Sequence, residues 1–379
     1  MNQYTTDLKK EQAKNPSLAE HISKFNERKR LSIAISELYK AIPDYKIARL
    51  GYAMRGCCDS MIIRKYETAE TESVYTLYCG LRLCPQCAHR RSLKAFAQLS
   101  QILDEADRQR TAQSGKPYEY ILLTLTMQSV GIEAFEEAIT RLSESVTKLS
   151  RTKAWKDAIK GAWRSLEITF NSKTMQYHPH IHMLCAVNPS YFSSKAYISQ
   201  DKLRQLWKRC GKFPYEPIVD IRRIKTELEK GISISGAKAE VSKYVTKQSD
   251  FLLNMPAIDA QAHLAELTYS LQGKKQYICY GIIRQIQRLL NLSDEDGDLN
   301  DIVEEDSEIE KLLRPDVKYV YDMVTYDPYI GAYLPTRLYD EDNNKADYIS
   351  GALIPPPGYM VDRFLRMEND RIKHELEES

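Results

Sequence analysis

"SLEITFNSKTMQYHPHIHML", residues 165–184, carries two alternating runs separated by a short connector. In the first, Leu166, Ile168 and Phe170 alternate with Glu167 and Thr169. In the second, His178, His180 and His182 alternate with Tyr177, Pro179, Ile181 and Met183. A period of two sends successive side chains to opposite faces of a β-strand, so both runs predict strands. A four-residue loop over 172–175 would make them a hairpin with Glu167 directly opposite His180, and directly opposed residues share a face. Glu167, His180 and His182 are then expected to project together, with Ile168, Ile181 and Met183 packed inward. Two imidazoles and one carboxylate with open positions suit a divalent cation that must also hold a substrate oxygen. Three of the seven histidines fall within five residues, which favours cation or phosphate chemistry over a solvated edge. His178 is left as a group that supports a ligand or touches the substrate, or as a structural residue.

The flanks predict the rest of the layer. "YILLTLTM" (120–127) reads as a buried strand interleaved with Thr. Ile132, Phe135, Ile139, Leu142, Val146 and Leu149 recur at steps of three and four, one apolar stripe of a helix. Residues 201–209 read as a helix, "PIVDIRRI" (217–224) as a strand and "AKAEVSKYVTKQSDF" (237–251) as a further helix. The order strand, helix, strand, strand, helix, strand, helix predicts an α+β fold of ferredoxin or RRM-like type, an antiparallel sheet with helices. No GxxxxGK phosphate loop occurs, which excludes a nucleotide-driven helicase of that type.

Eight cysteines bear on a second site. Cys185, Cys210 and Cys279 stand alone and read as core residues. "CGLRLCPQCAHRR" places Cys79, Cys84 and Cys87 at C-x4-C-x2-C spacing, with Cys57 and Cys58 about twenty residues upstream. A Cys-x2-Cys turn brings two thiolates to one tetrahedral ion, and a remote fourth sulfur closes a structural zinc site. Cys58 is the preferred fourth ligand, since "CCDS" opens toward the strand-like "MIIRKY"; Cys57 and then His89 are the alternatives. Arg82, Arg90, Arg91 and Lys94 nearby suit a knuckle resting on a phosphate backbone.

Glu240, Tyr244 and Lys247 follow one another at steps of four and three in "EVSKYVTK", which on a helix is one face. A Tyr hydroxyl titrates near pH ~10 and is a poor nucleophile at neutrality. A neighbouring Lys⁺ or a bound cation stabilises the phenolate, and the cation polarises a phosphate under attack. Glu240 is placed to activate water for a second, hydrolytic cleavage. This chemistry favours Mg²⁺ or Mn²⁺ at Glu167, His180 and His182, although ligand type alone also admits redox iron. Lys208, Arg209, Arg222 and Arg223 read as phosphate contacts or as a solvated face.

The 379 residues carry a net charge of +2, but 294–310 (DEDGDLNDIVEEDSEIE) has no Lys or Arg, so the rest is more basic. That run reads as a solvated linker, with a DNA-mimicking or partner-binding segment as its alternative. The N-terminus has no apolar core for a signal peptide, and no apolar run approaches the ~20 residues that span a bilayer. The expectation is a cytoplasmic protein with no membrane partner and no disulfides.

With these motifs assembled, the chain resembles the rolling-circle replication initiators of the HUH endonuclease superfamily. It is most similar to the plasmid Rep group that carries a Cys cluster, one catalytic tyrosine and a terminating glutamate. The resemblance runs from about 45 to 300 through "CGLRLCPQCAHRRSLK", "ILLTLT", "SLEITFN", "HPHIHML", "PIVDIRRIK", "EVSKYVTK" and "LLNLSDEDGDL". It implies that His180 and His182 bind the catalytic cation, that Tyr244 nicks DNA and that Glu240 promotes terminating hydrolysis. It also implies origin DNA as substrate and a host helicase and DNA polymerase as partners; a homodimer is compatible with it. The chain departs from the pattern in doubling the upstream Cys and in its tail beyond 300. An HUH transposase is a rival reading, but such enzymes commonly carry two tyrosines one turn apart, and Tyr244 has Glu240 instead. A zinc-knuckle DNA-binding regulator without activity is the other rival. The expected organisation is a helical extension (1–44), a zinc-binding subdomain (45–100), the HUH core (101–292), an acidic linker (293–312) and a C-terminal tail (313–379).

Overall fold

The structure, a computed structural model, describes residues 16–66, 72–224, 232–243, 249–292, 299, 319–329, 331–340 and 347–348. They belong to two compact units, one formed by residues 1–87 with 298–379 and the other by residues 88–297. Nearly all of the acidic stretch 294–310 lies outside the described residues.

The first unit opens with α1 (Pro16–Lys40) and α2 (Tyr45–Arg55), followed by β1 (Ser60–Tyr66) and β2 (Glu72–Thr76). Asp44 starts α2 by accepting a hydrogen bond from the Lys46 backbone N–H, the usual service of an Asp at a helix N-terminus. The second unit contains most of α3 (Pro85–Ser114), then β3 (Glu119–Thr126), α4 (Phe135–Arg151), α5 (Lys153–Ala158), β4 (Ile159–Asn171) and β5 (Gln176–Val187). It continues with α6 (Gln200–Gly211), β6 (Val219–Arg223), α7 (Ile234–Ser242), α8 (Ser249–Leu252), α9 (Ala257–Leu271), β7 (Tyr277–Tyr280) and α10 (Gly281–Leu289). The chain then returns to the first unit as β8 (Tyr319–Asp327), β9 (Ala332–Asp340) and β10 (Asp347–Tyr348).

The fold is α+β, with two five-stranded sheets ordered β10-β9-β8-β1-β2 and β6-β3-β5-β4-β7. The first sheet corrects one expectation: the segment set apart as a C-terminal tail supplies β8, which pairs antiparallel with β1 from Ser60↔Thr325 to Tyr66↔Tyr319. An edge strand exposes unpaired backbone groups, and β8 satisfies those of β1 from more than 250 positions away. No local sequence signal announces such a pairing.

In the second sheet every strand pairing among the described residues is antiparallel, and the histidine strand β5 lies between β3 and β4. Asn171 pairs with Gln176, leaving the four-residue loop 172–175. The Asn171 side-chain oxygen accepts from the Lys173 and Thr174 N–H groups, and Met175 takes a left-handed φ of 53°. This closure sets the register that places Glu167 opposite His180. Leu166, Ile168, Ile181 and Met183 are buried, and helix α4 packs on β5 with Phe135, Ile139, Leu142 and Val146 buried. Strand β4 is longer than its alternating run, reaching back to Ile159 through Trp163 and Arg164, because that part is buried apart from Lys160 and does not alternate in polarity.

The helix expected over 237–251 is shorter. Helix α7 ends at Ser242, and Lys243 turns to φ −56°, ψ 135°. The Ser242 carbonyl accepts from the Ser92 and Tyr277 hydroxyls, which satisfies a group that helix continuation would otherwise use. Residues 244–248, with Tyr244 and Lys247, lie outside the described residues.

Gly281 joins β7 to α10 at φ +56°, and a Cβ there would lie 2.1 Å from the Lys160 carbonyl oxygen. Left-handed strain and backbone overlap together predict that Gly281→Ala loses roughly 2–4 kcal/mol of stability. Urea unfolding checks this, and an unchanged midpoint would show that the close approach relaxes without cost.

Candidate metal centres

The polar face of the second sheet is assembled by the ladder alone. Glu167 lies opposite His180 and Ser165 opposite His182 on one side; Thr124 lies opposite His182 and Thr126 opposite His180 on the other. Glu167 Oε2 is 3.0 Å from His182 Nε2 and 3.5 Å from His180 Nε2. One ligand atom from each of the three residues falls within 4.8 Å of the others. His180 and His182 are buried and Glu167 is half-buried.

The distal ring nitrogens decide what the site can hold. His180 Nδ1–H donates to the His178 carbonyl, 3.1 Å away, because a carbonyl can only accept. Its Nε2 is then the nitrogen turned toward Glu167. His182 Nδ1 lies 3.1 Å from the Thr124 hydroxyl, and a cation at Nε2 selects the tautomer in which Nδ1–H donates to that oxygen. Burial would raise the Glu167 carboxyl, but the imidazoles of His180 and His182 outweigh it and hold it well below the ordinary carboxylate range. The donor set is therefore one anionic oxygen and two oriented nitrogens, which fits a hard or borderline divalent cation with positions to spare.

His178 stands apart from this group. Its Nδ1 meets the Ser129 hydroxyl at 3.3 Å, and burial, then the neighbouring His180, keep its pKa below the ordinary imidazole value.

Glu240 is brought to the rim by α7, which packs on β4 and β5. Its Oε1 is 3.7 Å from His182 Nε2, and its Oε2 accepts from the Lys243 ammonium. Sequence reasoning placed Glu240 beside Tyr244 and missed both neighbours. Thr124 was also missed, although its alternation within "ILLTLT" puts it on the face of whatever polar strand lies alongside. Of the cations read as phosphate contacts, Lys208, Arg222 and Arg223 pair with Glu216, Asp220 and Glu119.

The second centre lies in the first unit. Sulfur atoms of Cys57, Cys79, Cys84 and Cys87 all fall within 4.8 Å of one another. Cys57 and Cys79 approach Cys87 to 3.6 and 3.5 Å. A tetrahedral zinc with Zn–S bonds of about 2.3 Å has S···S edges of about 3.8 Å, so the spacing suits that ion. Burial opposes charge on Cys84, yet hydrogen bonds from Cys57, Cys79 and Cys87 hold it well below the ordinary thiol range. A dication binding four thiolates would replace those S–H contacts.

The grouping corrects the preferred fourth ligand: Cys57 joins the cluster and Cys58 does not. The two sulfurs lie 3.8 Å apart, yet only that of Cys57 is within reach of the other three; Cys58 takes a left-handed φ of 54° while its N–H bonds the Leu77 carbonyl. The Cys79 backbone N–H points at Cys57 Sγ from 3.4 Å. Behind the loop, the buried Lys29 ammonium donates to the Arg55 and Cys57 carbonyls and to Asp59, and the Tyr333 hydroxyl donates to the Cys58 carbonyl. Lys29 and Tyr333 carried no recognisable signal in the sequence, since one belongs to a polar helix and the other to the segment read as a tail.

Two outcomes follow. Cys57→Ser should lose bound zinc while Cys58→Ser keeps it, read by elemental analysis of purified protein; the reverse would restore Cys58 as ligand. Thr124→Val should weaken Mn²⁺ binding roughly 10-fold by releasing His182, the usual cost of removing such a partner. An unchanged calorimetric titration would separate Thr124 from the site.

A family profile described as "Replication protein" matches residues 72–329. A "Protein rep" of Bacillus amyloliquefaciens is 33% identical over 301 residues, 74% of this chain and 86% of that protein. Another, of Lactiplantibacillus plantarum, is 34% identical over 290 residues, covering 74% and 87%. A third, of Lentilactobacillus hilgardii, is 34% identical over 254 residues, covering 66% and 79%. No solved structure matches the chain. Among the described residues no helix is long and apolar enough to cross a membrane. The profile spans both the sulfur cluster's C-terminal three cysteines and the whole histidine sheet, and with these relatives it shows that the chain belongs to the replication protein family.

Proposed function

We propose that this protein initiates rolling-circle replication of a plasmid by nicking one strand of the origin through a tyrosine. The observation that carries the reading is the convergence of Glu167, His180 and His182 with their ligand atoms turned to one point. The succession β3, α4, β4, β5, α6, β6 and the sheet order β6-β3-β5-β4 support a ferredoxin-like HUH core, with the histidines on its central strand.

Mg²⁺ or Mn²⁺ held by these three residues would polarise a phosphodiester and neutralise charge gathering on its oxygens. Tyr244 is the nucleophile in this reading. Its phenolate oxygen forms a bond to phosphorus as the P–O3′ bond breaks; the 3′ oxygen takes a proton and leaves as a hydroxyl. The 5′ phosphate stays on Tyr244 as an ester, and the 3′ hydroxyl is the primer a host polymerase extends behind a host helicase. Lys247 steadies the phenolate. Glu240 later takes a proton from water, whose oxygen attacks phosphorus and releases Tyr244. The contacts of Glu240 with His182 and Lys243 support that role, since they place the carboxylate at the edge of the cation site. Tyr244 follows Lys243 directly, and the Ser242 carbonyl is fixed by two hydroxyls, so the anchor of the nucleophile's segment lies beside the site. The four sulfurs are assigned to zinc in a structural role, because a four-thiolate site leaves no open position.

Incubation with Mn²⁺ and a single strand bearing the origin should give a covalent adduct that Tyr244→Phe abolishes. Glu240→Ala should still form the adduct while hydrolytic release falls at least about 100-fold, the usual contribution of a general base. Failure of the wild-type protein to form an adduct with any divalent cation would leave a DNA-binding regulator as the better account.

A further inference from the structure

A cavity of about 320 Å³ opens in the second unit, lined among others by Trp163, Tyr277, Gln98, Lys275, Arg284 and Arg288. That volume lies at the lower end of the range for small-ligand sites. Trp163 and Tyr277 are buried, with ring centroids 5.4 Å apart. The Trp163 indole N–H is buried with no hydrogen-bond partner among the described residues, a condition native interiors seldom tolerate without a role. Lys275, Arg284 and Arg288 are exposed at the rim, and among the described residues no acidic side chain lines the cavity. Arg284 and Arg288 stand one turn apart on α10, and neither has a carboxylate partner among the described residues. Lys208, Arg222 and Arg223 differ in this respect, each being engaged by an acid.

An aromatic floor, a carboxamide and paired guanidinium groups form the donor set for a nucleoside phosphate. Guanidinium forks match phosphate oxygens, rings take a base, and a carboxamide reads a base edge. The location adds direction. Trp163 and Glu167 are four residues apart on β4 and so share a face, about 13 Å apart along the strand. Tyr277 pairs with Ser165 and Cys279 with Trp163, which puts the cavity wall on that same face. Tyr277 also donates to the Ser242 carbonyl at the end of the helix that carries Glu240.

We propose that this cavity is a subsite for one nucleotide of a single DNA strand, held a few nucleotides from the point of cleavage. The link to cleavage rests on the nicking reading above; the nucleotide chemistry of the cavity does not.

The test is fluorescence anisotropy of a labelled single-stranded oligonucleotide with the full-length protein in buffer free of divalent cations. Arg284→Ala/Arg288→Ala should weaken binding roughly 10-fold and reduce the log–log salt slope by about 1.4, two phosphates at about 0.7 each. Lys153→Ala, an exposed cation on α5 away from the cavity lining, should bind as wild type does. Both arginines are exposed, and an unchanged thermal melt confirms that the variant is folded. Oligonucleotide binding and a salt slope equal to wild type would overturn the subsite. A deoxynucleoside monophosphate that binds wild type as tightly as the oligonucleotide, and is lost in the double variant, would identify a free nucleotide as ligand and overturn the strand assignment. No cleavage is read, so a negative result leaves the nicking reading standing. Conversely, a wild type that never forms an adduct, with binding still weakened in the double variant, removes that reading and keeps the subsite.

Discussion

The register between β4 and β5 is the constraint on which the second unit depends. A strand that alternates strictly has two faces of different chemistry, and a slip of one residue would exchange them. Here a slip would bury three imidazoles against α4 and turn Ile181 and Met183 to the polar face. The four-residue loop and the Asn171 cap hold the pairing that avoids this, and the same pairing sets Glu167 across from His180. Core packing and the candidate cation site therefore have one cause. The apolar face secures the register, and the register places the ligands.

The sulfur cluster in the first unit rests on a different device. Four cysteines from three short segments converge only if the Cys57–Asp59 loop is held in one conformation. A buried ammonium does this by spending its hydrogen bonds on two loop carbonyls and one carboxylate. A buried charge is costly unless fully engaged, and removing any of those acceptors would leave it so. Tyr333, delivered by β9, closes the loop from the other side. The C-terminal strands are thus part of the framework that shapes the cluster, which explains why a segment without recognisable motifs pairs with β1 along its whole length.

Much of this was legible before any coordinates. The alternation of 165–184, the helical stripe of 132–149 and the short apolar run of 120–127 each declare an element, because each buries one face in a regular period. The three imidazole positions and Glu167 follow from the same alternation. Less regular features were not legible. Cys57 and Cys58 are chemically identical neighbours, and only the folded loop decides which sulfur is within reach of the other three. The end of α7 at Ser242 depends on hydroxyls of Ser92 and Tyr277, about 150 and 35 residues away. Lys29, Tyr333 and Lys243 look like surface residues in the linear chain.

The amino-acid sequence alone determined the α+β class, the central histidine strand, the three residues that face each other across its ladder, and the cysteines available to a metal. Those properties are periodic or local, and a short window contains them. Tertiary structure alone decided which upstream sulfur joins the cluster, that Glu240 meets His182, that the C-terminal strands complete the first sheet, and that Trp163, Tyr277 and the α10 arginines line one cavity. Each of these joins residues far apart in the chain, where position is set by packing and by the satisfaction of buried polar groups, neither of which leaves a repeating mark in the sequence.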